Sequence, residues 1–176
     1  TFAYADLYLS LHIFAALMPL YYAVRSTDTR YITGCLRVSA LCAGLLIYTK
    51  NEATLLHLPA LTAVYAGTLW HLHKQGFINL RKQILWFVGL VGMVLLPWIC
   101  FKWVHGLPFG NAKSVTGLSI EWHSGVGFAM AINTFFEGNW NLLFPLLFGL
   151  IIWQRRLVLR SATAVLAGYF LLLYVG

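Results

Sequence analysis

Long apolar runs separated by short polar breaks dominate the pattern along this chain. Several runs approach the roughly 20 residues that an α-helix needs to cross a bilayer. They predict spans at 7–24, 32–49, 53–72, 84–104, 138–153 and 162–176. No strand-like alternation of polar and apolar residues supports a membrane barrel instead. The pattern therefore predicts an all-α fold, a polytopic transmembrane helical bundle of about five to six spans, in a single domain over residues 1–176.

The composition supports this fold class. The chain is 60% hydrophobic and only 10% charged, whereas soluble domains carry about 25% charged residues. The net charge of +7 does not indicate nucleic acid, because the basic residues lie in short loops between apolar segments. Both ends of the sequence suggest that it is part of a longer membrane protein, so we expect this stretch alone to be inactive.

The positions of the basic residues predict the topology. If the spans alternate in direction, nine of the 12 basic residues fall on one side. These nine are Arg25, Arg30, Arg37, Lys74, Arg81, Lys82, Arg155, Arg156 and Arg160. The positive-inside rule makes that side cytoplasmic. The opposite face then receives Asp6, residues 50–52 and a glycine-rich outer loop, residues 105–127.

Residues 50–52, which are Lys50, Asn51 and Glu52, form a polar break between two apolar runs. Ionisable groups at the edge of a hydrocarbon layer usually pair with each other or line a polar cavity. Simpler interpretations stay open: Lys50 snorkels to the interface, and Glu52 favours the start of the next helix. Asp6 fits an N-cap of the first span equally well.

The histidines indicate a functional site less clearly than the polar break does. His71 and His73 are two apart, which does not place them on one helix face, and a solvated loop is the simpler interpretation. For His12 and His57, within predicted spans, we expect a hydrogen-bonded structural role. His105 and His123 flank the outer loop and are better candidates for substrate contact.

Several short motifs, in order along residues 4–153, resemble the membrane glycosyltransferases of the GT-C fold. The bacterial branch similar to protein-O-mannosyltransferases and aminoarabinose transferases fits best. The motifs are Tyr4-Ala5-Asp6-Leu7, Leu46-Ile47-Tyr48-Thr49-Lys50-Asn51-Glu52-Ala53, Leu96-Pro97-Trp98, His105-Gly106-Leu107-Pro108 and Asn139-Trp140. One departure is Ala53, where the family often has glycine.

The resemblance implies transfer of a sugar from a polyprenyl-phosphate donor to an acceptor lipid, glycan or protein at the non-cytoplasmic face of the bacterial inner membrane. It implies a leading carboxylate on an outer loop upstream of this stretch. Asp6 and Glu52 are the catalytic carboxylates present here: Asp6 would support the leading one, and Glu52 would orient Lys50 or bind the sugar. Lys50 would contact the donor phosphate, and Asn51, His105 and His123 would bind substrate. Residues 105–127 would cover the donor.

Two questions stay open at this stage. No cofactor follows from the sequence, and it does not decide whether a divalent metal takes part. The alternative function is a piece of a multispanning transporter with its substrate site at the polar break, because transporters also interrupt spans with ionisable residues. A break near the midplane would favour the transporter, and a break near the face would favour the transferase.

Overall fold

The computed structural model describes residues 2–49, 53–54, 56–107, 125, 127–128, 132, 143–160 and 162–175. Within them the fold is all-helical, with no strand. The helices are α1 (Phe2–Arg25), α2 (Thr29–Leu45), α3 (His57–Lys74), α4 (Leu80–Val104), α5 (Leu143–Trp153), α6 (Arg155–Arg160) and α7 (Thr163–Val175), and a 3₁₀ turn, Leu46–Tyr48, extends α2.

Three of these helices are long and apolar enough to cross a membrane. They are Leu7–Arg25, Thr29–Tyr48 and Leu80–Val104 among the described residues. The predicted third span begins at residue 53, whereas α3 begins at His57, so that Pro59 lies in its first turn. A proline is tolerated there because the first backbone N–H groups of a helix have no intrahelical acceptor.

Helix α2 forms the centre of the bundle. Its buried face carries small side chains, including Ser39, Ala40, Ala43 and Gly44. Small residues let backbones approach closely, and this favours helix association in membranes. Against α1, the Ser39 hydroxyl donates to the Ala16 carbonyl across 2.7 Å. Helix α1 runs antiparallel to α2 and makes the most extensive contact with it.

Helix α4 packs on another side of α2 and runs parallel to it. A Cβ atom at Gly44 would lie 3.3 Å from the Val94 Cβ, and the Arg37 guanidinium stacks over the Trp86 ring at 4.3 Å. Residue numbers thus rise together along both helices. A parallel arrangement is what alternating second and fourth spans require.

Helices α3 and α7 close the remaining sides. The Tyr65 hydroxyl of α3 donates to the Leu36 carbonyl of α2 over 3.2 Å. His57 Nδ1 lies 2.8 Å from the Tyr169 hydroxyl of α7. The expectation of a hydrogen-bonded structural role for His57 is therefore confirmed.

Local sequence signals fix the helix ends. Asp28 caps α2 by accepting from the Arg30 N–H, and Asn79 caps α4 by accepting from the Lys82 N–H. Gly76 and Gly106 take positive φ values of 77° and 61° just after α3 and α4. These values belong to the left-handed conformation that ends helices and favours glycine. At Gly106 the Leu107 N–H bonds back to the Lys102 carbonyl at 2.9 Å.

Because α1 runs antiparallel to α2 and α4 runs parallel to it, the bundle has two distinct ends. We call the end formed by the start of α1, the 3₁₀ turn and the end of α4 the upper end. The lower end contains the α1–α2 connection and the start of α4. The polar break follows directly after the 3₁₀ turn and Thr49 in the chain, so the chain enters it from the upper end.

Candidate functional site

The upper end holds a cavity between α1 and the end of α2. Tyr8 and His12 line it from α1, and Leu45, Tyr48 and Thr49 line it from α2 and the 3₁₀ turn. Its volume is about 470 Å³. Aromatic rings with polar edges and a histidine suit a ligand that has both apolar faces and hydroxyl groups.

The His12 ring forms a hydrogen bond within this cavity wall. Its Nδ1 lies 2.8 Å from the Tyr8 carbonyl oxygen, one helical turn earlier. A carbonyl only accepts hydrogen bonds, so Nδ1 carries the proton and donates. In the neutral ring, Nε2 is then an acceptor. The expected hydrogen-bonded role of His12 is confirmed, and the ring also borders the cavity.

Tyr48 and Thr49 shape the opposite wall through the 3₁₀ turn. The Thr49 hydroxyl donates to the Leu46 carbonyl at 2.7 Å and fixes the end of the turn. The Tyr48 hydroxyl donates to the Val94 carbonyl of α4 at 3.0 Å. Three residues after Val94 in α4, Pro97 has no backbone N–H and donates no hydrogen bond within the helix. The Tyr48 bond therefore ties the 3₁₀ turn, which precedes the polar break in the chain, to α4.

Lys102 is a buried lysine near the upper end whose burial was not predicted from the sequence. It lies in the last turn of α4, yet it is only 6% exposed. Its ammonium stands 4.3 Å from the centroid of the buried Trp98 ring. The signal that could have found it is the spacing of Val94, Trp98 and Lys102, which places all three on one face of the helix.

Of the residues just after the polar break, Ala53 is buried and Thr54 is half-buried. Ala53 is 0% exposed, so a small side chain occupies a closely packed place here. The Thr54 hydroxyl oxygen is buried and has no hydrogen-bond partner among the described residues. A polar side-chain atom therefore lies in the packed interior directly after the break.

The site residues predicted from the sequence differ in whether the structure describes them and in where they lie. Asp6 lies inside α1, which begins at Phe2, so Asp6 is not an N-cap; its side chain is outside the described part. Lys50, Asn51, Glu52 and His123 also lie outside the described residues. His105 is exposed after the last turn of α4, with its ring 4.6 Å from that of Phe101, and it does not line the cavity.

His71 and His73 lie in the last turn of α3 rather than in a loop, and both are exposed. His71 Nε2 lies 3.1 Å from the Gln75 amide nitrogen. Within the described part of the chain, no three His, Cys, Asp or Glu side chains are placed to hold a metal ion.

A second cavity of about 470 Å³ lies between α3 and α7. Its lining includes Val64, Gly67 and Thr68 of α3 and Val165 and Gly168 of α7. It has no acidic residue in its lining and contains none of the predicted site residues.

Comparison with protein-family models, curated proteins and solved structures finds no match to this chain. The candidate site therefore rests on the chemistry and geometry of the residues themselves.

Proposed function

We propose that this chain is part of a membrane glycosyltransferase that moves a sugar from a polyprenyl-phosphate donor to an acceptor at the non-cytoplasmic face. In this proposal the protein crosses a bacterial inner membrane five to six times. The observation that carries it is the upper-end cavity of Tyr8, His12, Tyr48 and Thr49, from which the chain runs directly into Lys50.

The reaction needs a phosphate site, a proton acceptor and a sugar site. The acceptor hydroxyl oxygen bonds to the anomeric carbon while the bond from that carbon to the phosphate oxygen breaks. Lys50 neutralises the charge that grows on the departing phosphate. A carboxylate upstream of this stretch takes the hydroxyl proton. Asp6 supports it, and Glu52 orients Lys50 or binds the sugar. Asn51, His105 and His123 contribute substrate hydrogen bonds, and Tyr8 and Tyr48 offer ring faces to the sugar.

The depth of the polar break supports a transferase over a transporter. The segment Thr29–Tyr48 before the break has 20 residues. At 1.5 Å per residue it is about 30 Å long, the thickness of a hydrocarbon core. A break that follows a full-length span lies near a membrane face. Transporters place their discontinuous helices near the midplane.

The test uses the full-length protein in liposomes with a polyprenyl-phosphate sugar and lipid, glycan or peptide acceptors. Lys50→Ala should reduce sugar transfer about a hundredfold or more, because a charge-stabilising donor is lost. The matched control is Lys82→Ala, which removes an exposed lysine at the start of α4, and it should transfer normally.

Wild-type turnover by Lys50→Ala would contradict the phosphate role. Absence of transfer by the wild-type protein to every acceptor class, together with uptake of a solute into the liposomes, would favour the transporter.

A further inference from the structure

We propose that the cavity between α3 and α7 binds an anionic phospholipid from the leaflet at the lower end of the bundle. An acyl chain lies between the two helices, and the phosphate lies at His71. The cavity measures about 470 Å³ and shares no lining residue with the upper-end cavity. This proposal depends on the membrane location of the chain and not on the proposed sugar transfer.

The cavity lies between two helix faces that carry several small residues. The lining residues recur every three or four positions, which places them on one face of each helix. They are Ala63, Val64, Gly67, Thr68 and His71 on α3, and Ala164, Val165, Gly168, Leu171 and Leu172 on α7. Small residues on facing helices usually let the backbones close on each other. Here a Cβ at Gly67 would meet no described atom within 4 Å, and one at Gly168 would lie 4.0 Å from the Val64 Cγ2. The two helices therefore leave this space open.

The open space faces the bilayer. At the upper end of α3, His57 Nδ1 lies 2.8 Å from the Tyr169 hydroxyl and joins the two helices. Below that contact, the lining residues Gly67, Leu171 and Leu172 are exposed, so the cavity opens sideways. An opening in the side of a membrane-spanning bundle meets hydrocarbon. A lipid chain that enters supplies the van der Waals contacts that the walls of an empty cavity lack.

The lower mouth of the cavity carries basic side chains. His71 in the last turn of α3 and Val24 in the last turn of α1 both line it. Lys74 lies three positions after His71, on the same side of α3, and Arg25 follows Val24 in the chain. The lining contains no acidic residue, and the nearby Asp28 is engaged as the N-cap of α2. Basic pockets between transmembrane helices are typical sites for anionic headgroups.

His71 supplies a hydrogen-bond donor at this mouth. The Gln75 amide nitrogen lies 3.1 Å from His71 Nε2. An amide nitrogen only donates, so Nε2 accepts, and Nδ1 carries the proton of the neutral ring. A phosphate oxygen is a charged acceptor that forms strong hydrogen bonds with such donors. Arg25 and Lys74 each contact an aromatic ring of their own helix and have further N–H groups for an anion.

The other possible occupants are a further segment of the full-length protein and bilayer lipid bound without selectivity. To separate them, the full-length protein in detergent is titrated with phosphatidylglycerol, phosphatidylcholine and diacylglycerol of the same chains, and binding is measured by native mass spectrometry. Gly67→Leu fills the cavity, and His71→Leu removes the donor. Gly89→Leu is the control for the first, because Gly89 is exposed on α4 with no described atom within 4 Å of an added Cβ. His73→Leu is the control for the second, because His73 is exposed and lies outside the lining.

We expect the wild-type protein to bind phosphatidylglycerol at least about tenfold more tightly than diacylglycerol. Phosphatidylcholine, which has a phosphate but no net charge, should bind with intermediate affinity. His71→Leu should weaken binding of phosphatidylglycerol about tenfold, the effect of losing one hydrogen bond to a charged group, and should leave diacylglycerol unchanged. Gly67→Leu should weaken binding of all three lipids several-fold, and both controls should match the wild type.

Three results would overturn the proposal. The first is equal affinity of the wild type for phosphatidylglycerol and diacylglycerol, and the second is lipid binding by Gly67→Leu or His71→Leu that equals that of its control. The third concerns a protein occupant. If lipid-free Gly67→Leu melts several degrees below lipid-free Gly89→Leu, a segment of the protein already fills the cavity.

A second measurement uses the wild-type protein alone. Phosphatidylglycerol with a photoactivatable diazirine in one acyl chain is crosslinked to the full-length protein, and the labelled peptides are identified by mass spectrometry. Labels should concentrate on residues 63–71 and 164–172 and decrease when unlabelled phosphatidylglycerol is added. Labelling of the exposed face of α4 at the same level, with no effect of the unlabelled lipid on α3 and α7, would contradict a site between these helices.

Discussion

Small side chains on one face of α2 allow it to contact α1 and α4 at the same time. Ser39 and Gly44 illustrate two different uses of small size. Ser39 brings a buried hydroxyl within 2.7 Å of the Ala16 carbonyl, and such bonds between helices contribute about 0.6 kcal/mol in a membrane. Gly44 leaves room for Val91 and Val94 of α4. The contact that positions α4, and with it Lys102, therefore depends on the absence of a side chain at residue 44.

Gly44→Val should destabilise the protein, because its Cβ alone would lie 3.3 Å from the Val94 Cβ and 3.5 Å from the Val91 Cα. Overpacking of this kind costs about 1–3 kcal/mol. Gly34→Val is the matched control in the same helix, since a Cβ there has nothing within 4 Å. The thermal midpoint in detergent should fall by several degrees for Gly44→Val only. Equal midpoints for the two variants would mean that α2 and α4 do not approach this closely.

At the scale of single elements, α4 has two unlike faces. One face carries the buried residues that end in Lys102, and the other exposes large apolar side chains along the whole helix. Exposed apolar residues in such number are costly in water but fit a lipid-facing helix. Among the described residues, the exposed face of α4 therefore has the composition of a lipid-facing surface.

Met93→Lys should impair membrane insertion of α4. Met93 is 61% exposed and lies near the middle of this 25-residue helix. A lysine at a helix centre costs about 2.5–3.5 kcal/mol on insertion scales. Val104→Lys is the control, because Val104 is 78% exposed but ends the helix, where a lysine can snorkel to water. A translocon insertion assay with glycosylation tags measures both. Equal insertion of both variants would contradict a lipid-facing α4.

The elements also show what could be predicted from the sequence. The apolar runs predicted α1, α2 and α4, since a long, mostly apolar stretch has few other structures available. Single residues were harder to place. The third span was predicted to begin at residue 53, but α3 begins at His57 with Pro59 in its first turn, because a proline is compatible with either start. The bond from Tyr48 to Val94 joins residues 46 apart in sequence, and no local pattern encodes such a pairing.

The burial of Lys102 shows the same limit. Its charge counted only toward the topology, because a lysine near the end of a span usually snorkels outward. The spacing from Val94 through Trp98 does place it on a helix face. Only the packing of α2 against α4 identifies that face as the inner one. The polar break itself was predicted from sequence as the functional centre, and that remains a prediction because Lys50, Asn51 and Glu52 lie outside the described residues.

At the scale of the whole molecule, the two ends of the bundle differ in whether their described basic side chains are exposed or buried. Towards the lower end, the Arg25 guanidinium lies 5.6 Å from the Tyr21 ring centroid, and Arg37 stacks over Trp86. Basic and aromatic residues of this kind typically mark a membrane–water interface. At the upper end, a lysine is buried and a cavity adjoins the polar break. This difference fits a lower end that faces the cytoplasm and an upper end that carries the chemistry.

The orientation can be measured with single cysteines in a full-length protein whose Cys35, Cys42 and Cys100 are replaced by alanine. Thr27→Cys marks the lower end and Leu107→Cys marks the upper end, and both positions are exposed. A membrane-impermeant maleimide applied to intact cells should label Leu107→Cys alone, because the basic side is retained in the cytoplasm. Thr27→Cys should be labelled only after permeabilisation, and both should react equally in detergent. The reverse pattern would place the polar break in the cytoplasm and would contradict a transferase acting at the outer face.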